Sequence, residues 1–280
     1  MPERLRERES VVLEERDKNL EPRGAILDPS AMARVMRVVR LPPAEALAPW
    51  IRHYWFIRWD LAAPHTQSVL PLPTANATLE EHTDGVGLSS SHRFDKTLEG
   101  RGAVFGTTFR STGLRGFVRV PVHTMATERT RFADAFRGDV EALRALGFGG
   151  ASDAEMVDAL DRYWLAEEPS LHPEAMEVER WVELAQSEPA LGRAETLASR
   201  VGVGLRTLER RLREHTGFTP KQLLRRFRLL EASAQLERGG EIDHAALALM
   251  LGYADQAHFA RDFAAVVGRP PARYARAQRR

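Results

Sequence analysis

Two stretches of this chain, LASRVGVGLRTLERRL (197–212) and LALMLGYADQAHFARDF (247–263), carry one pattern twice. Leu197 aligns with Leu247, Ala198 with Ala248 and Gly202 with Gly252 at an offset of 50. After one extra residue in the second turn, Leu208 aligns with Phe259, Arg210 with Arg261, Leu212 with Phe263, Gly217 with Gly268 and Pro220 with Pro271 at an offset of 51. Such a repeat is one supersecondary unit used twice, and it fixes the fold of the region more firmly than composition does. Each copy reads as an apolar helix, a turn containing Gly and a capped helix bearing Arg, the order of a helix-turn-helix. The glycine permits positive φ where the first helix ends, so the second can cross it steeply.

The second helix of such a unit is the one that fits a DNA major groove, with its outward side chains meeting base edges and phosphates. Helical periodicity selects those side chains. Leu205, Leu208 and Leu212 form the inward stripe of the first copy, which turns Arg206, Glu209, Arg210 and Arg213 outward. In the second, Phe259, Phe263 and Val266 point inward, leaving Gln256, Ala257, His258 and Arg261 outward. Arg can donate two bonds to guanine O6 and N7, Gln suits adenine, and His258 can donate to a base or a phosphate. A lone arginine on such a helix is more often a solvated charge, but Arg at the matched position of two copies tips the balance toward contact. The intervening helix, about 220–238, spans on the order of 28 Å, against roughly 34 Å for one turn of B-DNA. It could set two reading helices into successive grooves without a dimer, so monomer and homodimer both remain open.

Charge divides along the same line. From Ala190 to Arg280 there are 17 Lys and Arg against 9 Asp and Glu, a net +8; the preceding residues carry 23 against 30, a net −7. A basic C-terminal part joined to an acidic remainder suits a polyanion-binding module on a partner that must not bind polyanions. The chain has no cysteine among its 280 residues, which excludes disulfides, thiolate nucleophiles and cysteine-held metal clusters and fits a reducing cytoplasm. Neither an apolar signal-peptide core nor a run of eighteen apolar residues occurs, so a cytoplasmic protein with no membrane partner is expected.

Residues 1–24, mostly charged, read as a flexible arm. The stretch 25–168 reads as a β-rich sensor or dimerisation domain. HYWFIRWDL (53–61), LPLPTANATLE (70–80), AVFGTTF (103–109) and GLRGFVRVPV (113–122) are strand-like and divided by Gly and Pro, which favours an antiparallel sandwich or barrel. RGDVEALRALGF (137–148) and SDAEMVDALDRYWLAEE (152–168) are helical, the second opened by Ser152 or Asp153. A period-free segment with two prolines makes 169–175 a linker, and 176–280 reads as helix throughout. Thr219 caps the longest helix, with Pro220 at its first position and Gly239 as its stop; Asp243 and Asp255 cap two others, and Pro270-Pro271 opens the last. The fold class is therefore α+β: a β-rich domain with helices, then an all-α tandem helix-turn-helix domain.

On a strand Trp55, Ile57 and Trp59 share one face and Tyr54 and Phe56 the other. Trp55 and Trp59 are candidates to line an effector pocket, against the ordinary alternative of core packing. His53, His65, His82, His92 and His123 show no His-x-His pair of the kind a strand-borne metal site needs, and the sequence around His82 and His92 suggests turns. No Gly-x-Ser-x-Gly, phosphate loop or dinucleotide fingerprint occurs. No catalytic residue, metal site or cofactor is expected, and the chain is not read as an enzyme.

The C-terminal residues resemble the AraC/XylS family of transcriptional regulators, on LASRVGVGLRTLERRLREHTGFTPKQLLRRFRL and on LGYADQAHFARDF followed by GRPPARY. The similarity runs from about Glu174 to Arg276 and implies sequence-specific binding of double-stranded DNA. Candidate further partners are a small-molecule effector and RNA polymerase. Two positions depart from the family pattern: Gly204 replaces a Ser or Thr cap, and Leu212 stands where an aromatic is common. Residues 24–168 are similar to the N-terminal domain of one AraC-type subgroup, in which Pro-Gly-Gly is usual where this chain has Ser111, Thr112 and Gly113.

Overall fold

A computed structural model describes residues 26–27, 35–89, 93–125, 129–238 and 242–278. The charged arm at 1–24, His92 and the Gly239 stop lie outside the described residues. Alternation in the N-terminal half produces two antiparallel sheets. The larger has the order β2-β3-β8-β5-β6, with β2 Met36–Leu41, β3 Ile51–Asp60, β8 Arg101–Phe109, β5 Ala75–Leu79 and β6 Asp84–Leu88. The smaller has the order β1-β4-β7, with β1 Ile26–Leu27, β4 His65–Val69 and β7 Phe94–Leu98. An extended antiparallel ladder joins β3 to β8, placing Trp55 opposite Gly106, Phe56 opposite Phe105 and Trp59 opposite Gly102.

Each face of the larger sheet has its own cover. Tyr54, Phe56, Phe105 and Phe109 pack beneath helices α2 (Val140–Phe148) and α3 (Asp153–Ala166), which follow a single helical turn, α1 (Phe132–Ala135). The Tyr54 hydroxyl donates to Asp161 (2.8 Å), Arg58 pairs with Asp153 (2.6 Å), and Trp164 Nε1 donates to the Thr107 hydroxyl (3.1 Å). Burial without these partners would be costly. On the opposite face, Leu98 of β7 clusters with Met36, Val38, Ile57 and Trp59, so the two sheets face each other.

Helix signals in the sequence correspond closely to the structure. Ser152 opens α3 with a complete capping box to Glu155, and Asp139 caps α2. The C-terminal half contains α4 (Pro173–Ser187), α5 (Ala194–Arg200), α6 (Leu205–Thr216), α7 (Pro220–Glu237), α8 (His244–Met250), α9 (Gln256–Val267) and α10 (Pro271–Gln278). Val178, Trp181, Val182 and Ala185 of α4 are all buried, as their spacing requires. Thr219 forms a capping box with Gln222, and Asp243 and Asp255 cap α8 and α9. The helix expected from residue 176 begins at Pro173, because a proline at the first helical position needs no N–H partner.

One expectation is wrong. GLRGFVRVPV does not form a strand: Gly113–Gly116 and Val122–Met125 are 3-10 turns. A Cβ at Gly113 would collide with the Trp50 carbonyl and one at Gly116 with the Trp50 ring. Trp50 therefore sits against a coiled glycine turn, where a strand would hold the backbone away from it.

Candidate nucleic-acid interface

The two halves of the repeat, α5–α6 and α8–α9, are built alike. Gly202 and Gly252 end the first helix of each unit at φ +73 and +72, a left-handed conformation that side chains bearing a Cβ rarely adopt. Leu208, Leu212, Phe259 and Phe263 are fully buried and Val266 nearly so, while Leu205 is only half-buried at the edge of the same core. All eight sequence-selected residues, Arg206, Glu209, Arg210, Arg213, Gln256, Ala257, His258 and Arg261, are exposed. Arg210 reaches Glu214 one turn along (3.1 Å) but keeps more than half of its side chain in solvent. Arg206, Arg213 and Arg261 form no ion pair among the described residues.

The second helix of each unit, α6 and α9, is braced on its flank at the position after the matched arginine. Arg211 pairs with Glu177 (2.7 Å) and Glu174 (3.2 Å) and lies over the Trp181 ring. Its counterpart in the second unit is Asp262, which pairs with Arg225 (2.6 Å) and accepts from the Tyr253 hydroxyl (2.8 Å). Arg228 stacks 4.5 Å from the Tyr253 ring. Burial, then the Asp262 carboxylate and its hydrogen bond, pushes the Tyr253 hydroxyl well above its usual range. Sequence reasoning missed these braces because periodicity separates inside from outside and does not pair charges across helices.

The connecting helix α7 is more than a spacer. Its 18 residues span about 27 Å at 1.5 Å each, but Leu223, Leu224, Phe227, Leu229, Leu230 and Leu236 are buried in the core of the C-terminal half. Even Arg226 is buried, its pKa pushed down to about 10 by desolvation and by the neighbouring Arg225. Packing of this kind joins the two units through one shared core.

Trp55 and Trp59 occupy the sheet face opposite Tyr54 and Phe56, half-buried. Their rings fill the space above Gly106 and Gly102 that a Cβ would occupy, and Trp59 Nε1 donates to the Glu99 carbonyl (3.1 Å). The structure thus puts the two rings on one face of the larger sheet, with Trp59 in the cluster that includes Leu98 of the smaller one. Among the described residues no three His, Asp or Glu side chains are grouped to hold a metal, and no helix is long and apolar enough to cross a membrane.

Residues 197–277, which hold the repeat, match the family described as a helix-turn-helix domain. The C-terminal domain belongs to the AraC/XylS family. Residues 39–131 match a domain of unknown function, DUF6597. A transcriptional activator of the RhaS type from Pectobacterium carotovorum is 38% identical over 76 residues, 27% of each chain. Another from Escherichia fergusonii is 38% identical over 78 residues, 28% of this chain and 27% of that one. The chain thus covers about a quarter of the length of these curated relatives. Among solved structures, ToxT from Vibrio cholerae is 12% identical, with 86% of this chain and 98% of that one covered at a TM-score of 0.43.

Proposed function

We propose that this chain is a sequence-specific DNA-binding transcription regulator of the cytoplasm. Helices α6 and α9 of its AraC-type domain read two stretches of major groove, and its β-rich half takes a small-molecule effector on the Trp55 and Trp59 face. The observation that carries the reading is the equivalence of the two units: two braced helices at matched places in a repeat each expose arginine and polar side chains over a sealed apolar stripe. A solvated surface helix needs no such repetition. The relatives that share this domain are named transcriptional activators, which supports the class. For the effector half, two indole rings on one sheet face, each lying over a glycine, supply apolar surface for a planar or apolar small molecule. Such a ligand would act by binding two arrangements of the chain with different affinity.

The test is competition between a duplex selected from a random pool and unselected duplex at physiological salt. The regulator reading expects a preference of about a thousandfold or more. A binder driven by phosphates alone would show little preference and a steep salt dependence.

A further inference from the structure

The left-handed glycines that end the two reading helices, Gly217 (φ 78) and Gly268 (φ 85), are equivalent points of the repeat. Both are touched by one short span of the N-terminal half. Leu88, the last residue of β6, fills the space where a Cβ on Gly217 would sit, and the Arg93 guanidinium does the same at Gly268. The contact at Gly268 is polar as well as steric. Arg93 Nη1 donates to the Val267 carbonyl (2.9 Å) and the Arg93 amide donates to the Val266 carbonyl (3.3 Å), so a cation closes the C-terminal end of α9. Asp95 orients that guanidinium from behind (2.7 and 3.1 Å) and is itself held by the Ser68 hydroxyl (2.6 Å). Leu88 packs against the cores of both halves.

These contacts lie at the far ends of α6 and α9 from the N-terminal residues that enter a groove. All eight outward reading residues stay exposed while both caps are held, so the docked arrangement leaves the reading surface open. Leu88 ends a strand of the larger sheet and Arg93 precedes a strand of the smaller one. The relative position of the two caps is therefore tied to the relative position of the two sheets.

We propose that Leu88 and Arg93 are positioning residues for two-part DNA recognition: by gripping the caps of both reading helices, they fix the half-site spacing that the chain accepts. This rests on the regulator reading above. It adds a determinant of specificity that lies outside the helix-turn-helix units and touches no DNA.

The experiment uses the full chain. A duplex selected by the wild type from a random pool is rebuilt with the same half-sites moved one or two base pairs closer or farther, and as a single half-site. The wild type is expected to favour one spacing by about tenfold, a usual size for coupling between sites. Arg93→Ala and Leu88→Ala are expected to reduce that ratio to about threefold or less while leaving half-site affinity unchanged. Arg93→Lys should recover part of it, since an ammonium still donates to the Val267 carbonyl. Should Arg93→Ala fail to fold, Asp95→Ala loosens the same guanidinium without altering the C-terminal half. Variants that keep the wild-type spacing ratio overturn the proposal, as do variants that weaken the half-site as much as the full site. A wild type that selects no sequence from the pool overturns the regulator reading and this inference with it. That failure is visible before any variant is made.

Discussion

At the scale of single residues, the charged side chains of α6 and α9 can be sorted by what their loss would do. Arg210 and Arg261 hold matched positions on α6 and α9 and both are exposed. Their replacement by Ala is expected to weaken binding to a selected duplex by about 1–3 kcal/mol and to relax preference at one base step. Equal weakening on every sequence, measured across a panel of single-base variants, would assign them to phosphates. His53 supports a different kind of prediction. Completely buried on β3, it has its pKa lowered to about 3, by desolvation first and then by Arg40 and Arg52. A folded pKa below the unfolded 6.5 means that the unfolded chain takes up the proton first. The contribution is whole above pH 6.5 and is lost as pH falls toward 3, by up to about 1.4 kcal/mol per pH unit. Urea midpoints should therefore show the wild type more stable than His53→Gln at pH 8, with the gap narrowing below pH 6.5. A gap constant between pH 8 and pH 5 would mean that His53 takes up its proton equally in the folded and unfolded states, against a lowered folded pKa.

At the scale of elements, α6 begins on Gly204, which supplies no side-chain cap and whose Cβ position opens into free space. Its φ of −70 and ψ of 149 are those of an ordinary N-cap. Gly204→Ser is therefore expected to raise stability by about a few tenths of a kcal/mol, read as a small rise in Tm; a fall would show that the serine hydroxyl does not reach the free amides of the first turn. The helices were legible because caps, periodicity and glycine stops are local: Ser152, Thr219, Asp243 and Asp255 each bond amides two or three residues on. The outward and inward faces of α6 and α9 followed from the same period. Strands were legible where alternation was long, as in β3, and were missed where the run was short and polar, as in β4 and β7. The turn at 113–116 was misread because it packs against Trp50, more than sixty residues away in sequence. The braces through Arg211 and Asp262, and the grip on Gly217 and Gly268, depend on approach between distant segments that no local pattern encodes.

At the scale of the whole molecule, the two halves are joined by a buried carboxylate. Glu179 of α4 accepts from the Thr112 amide (2.8 Å), the Thr112 hydroxyl (2.9 Å) and the Ser111 amide (3.3 Å), and is only 8% exposed. The loop it holds edges a cleft of about 440 Å3 between the halves, beside Trp50, Arg110 and Met176. This is where the chain departs from the Pro-Gly-Gly of the similar subgroup, and the departure has a physical consequence. A proline at 111 has no amide hydrogen and a glycine at 112 has no hydroxyl, so two of the three donors to Glu179 exist because of Ser111 and Thr112. Gly113 is kept, and the Trp50 carbonyl leaves it no room for a Cβ. Restoring the pattern with Ser111→Pro and Thr112→Gly should leave Glu179 underbonded in a buried site and cost about 1–3 kcal/mol. Because that cost falls on the junction and not on either core, it should appear as lost coupling: thermal unfolding followed by indole fluorescence, dominated by Trp50, Trp55, Trp59 and Trp164 of the N-terminal half, should separate from unfolding followed by helical circular dichroism. Transitions that stay superimposed in the double variant would show that the remaining contacts, the Leu70 and Leu72 side chains buried among the C-terminal helices and the grip on the two caps, hold the halves together without Glu179.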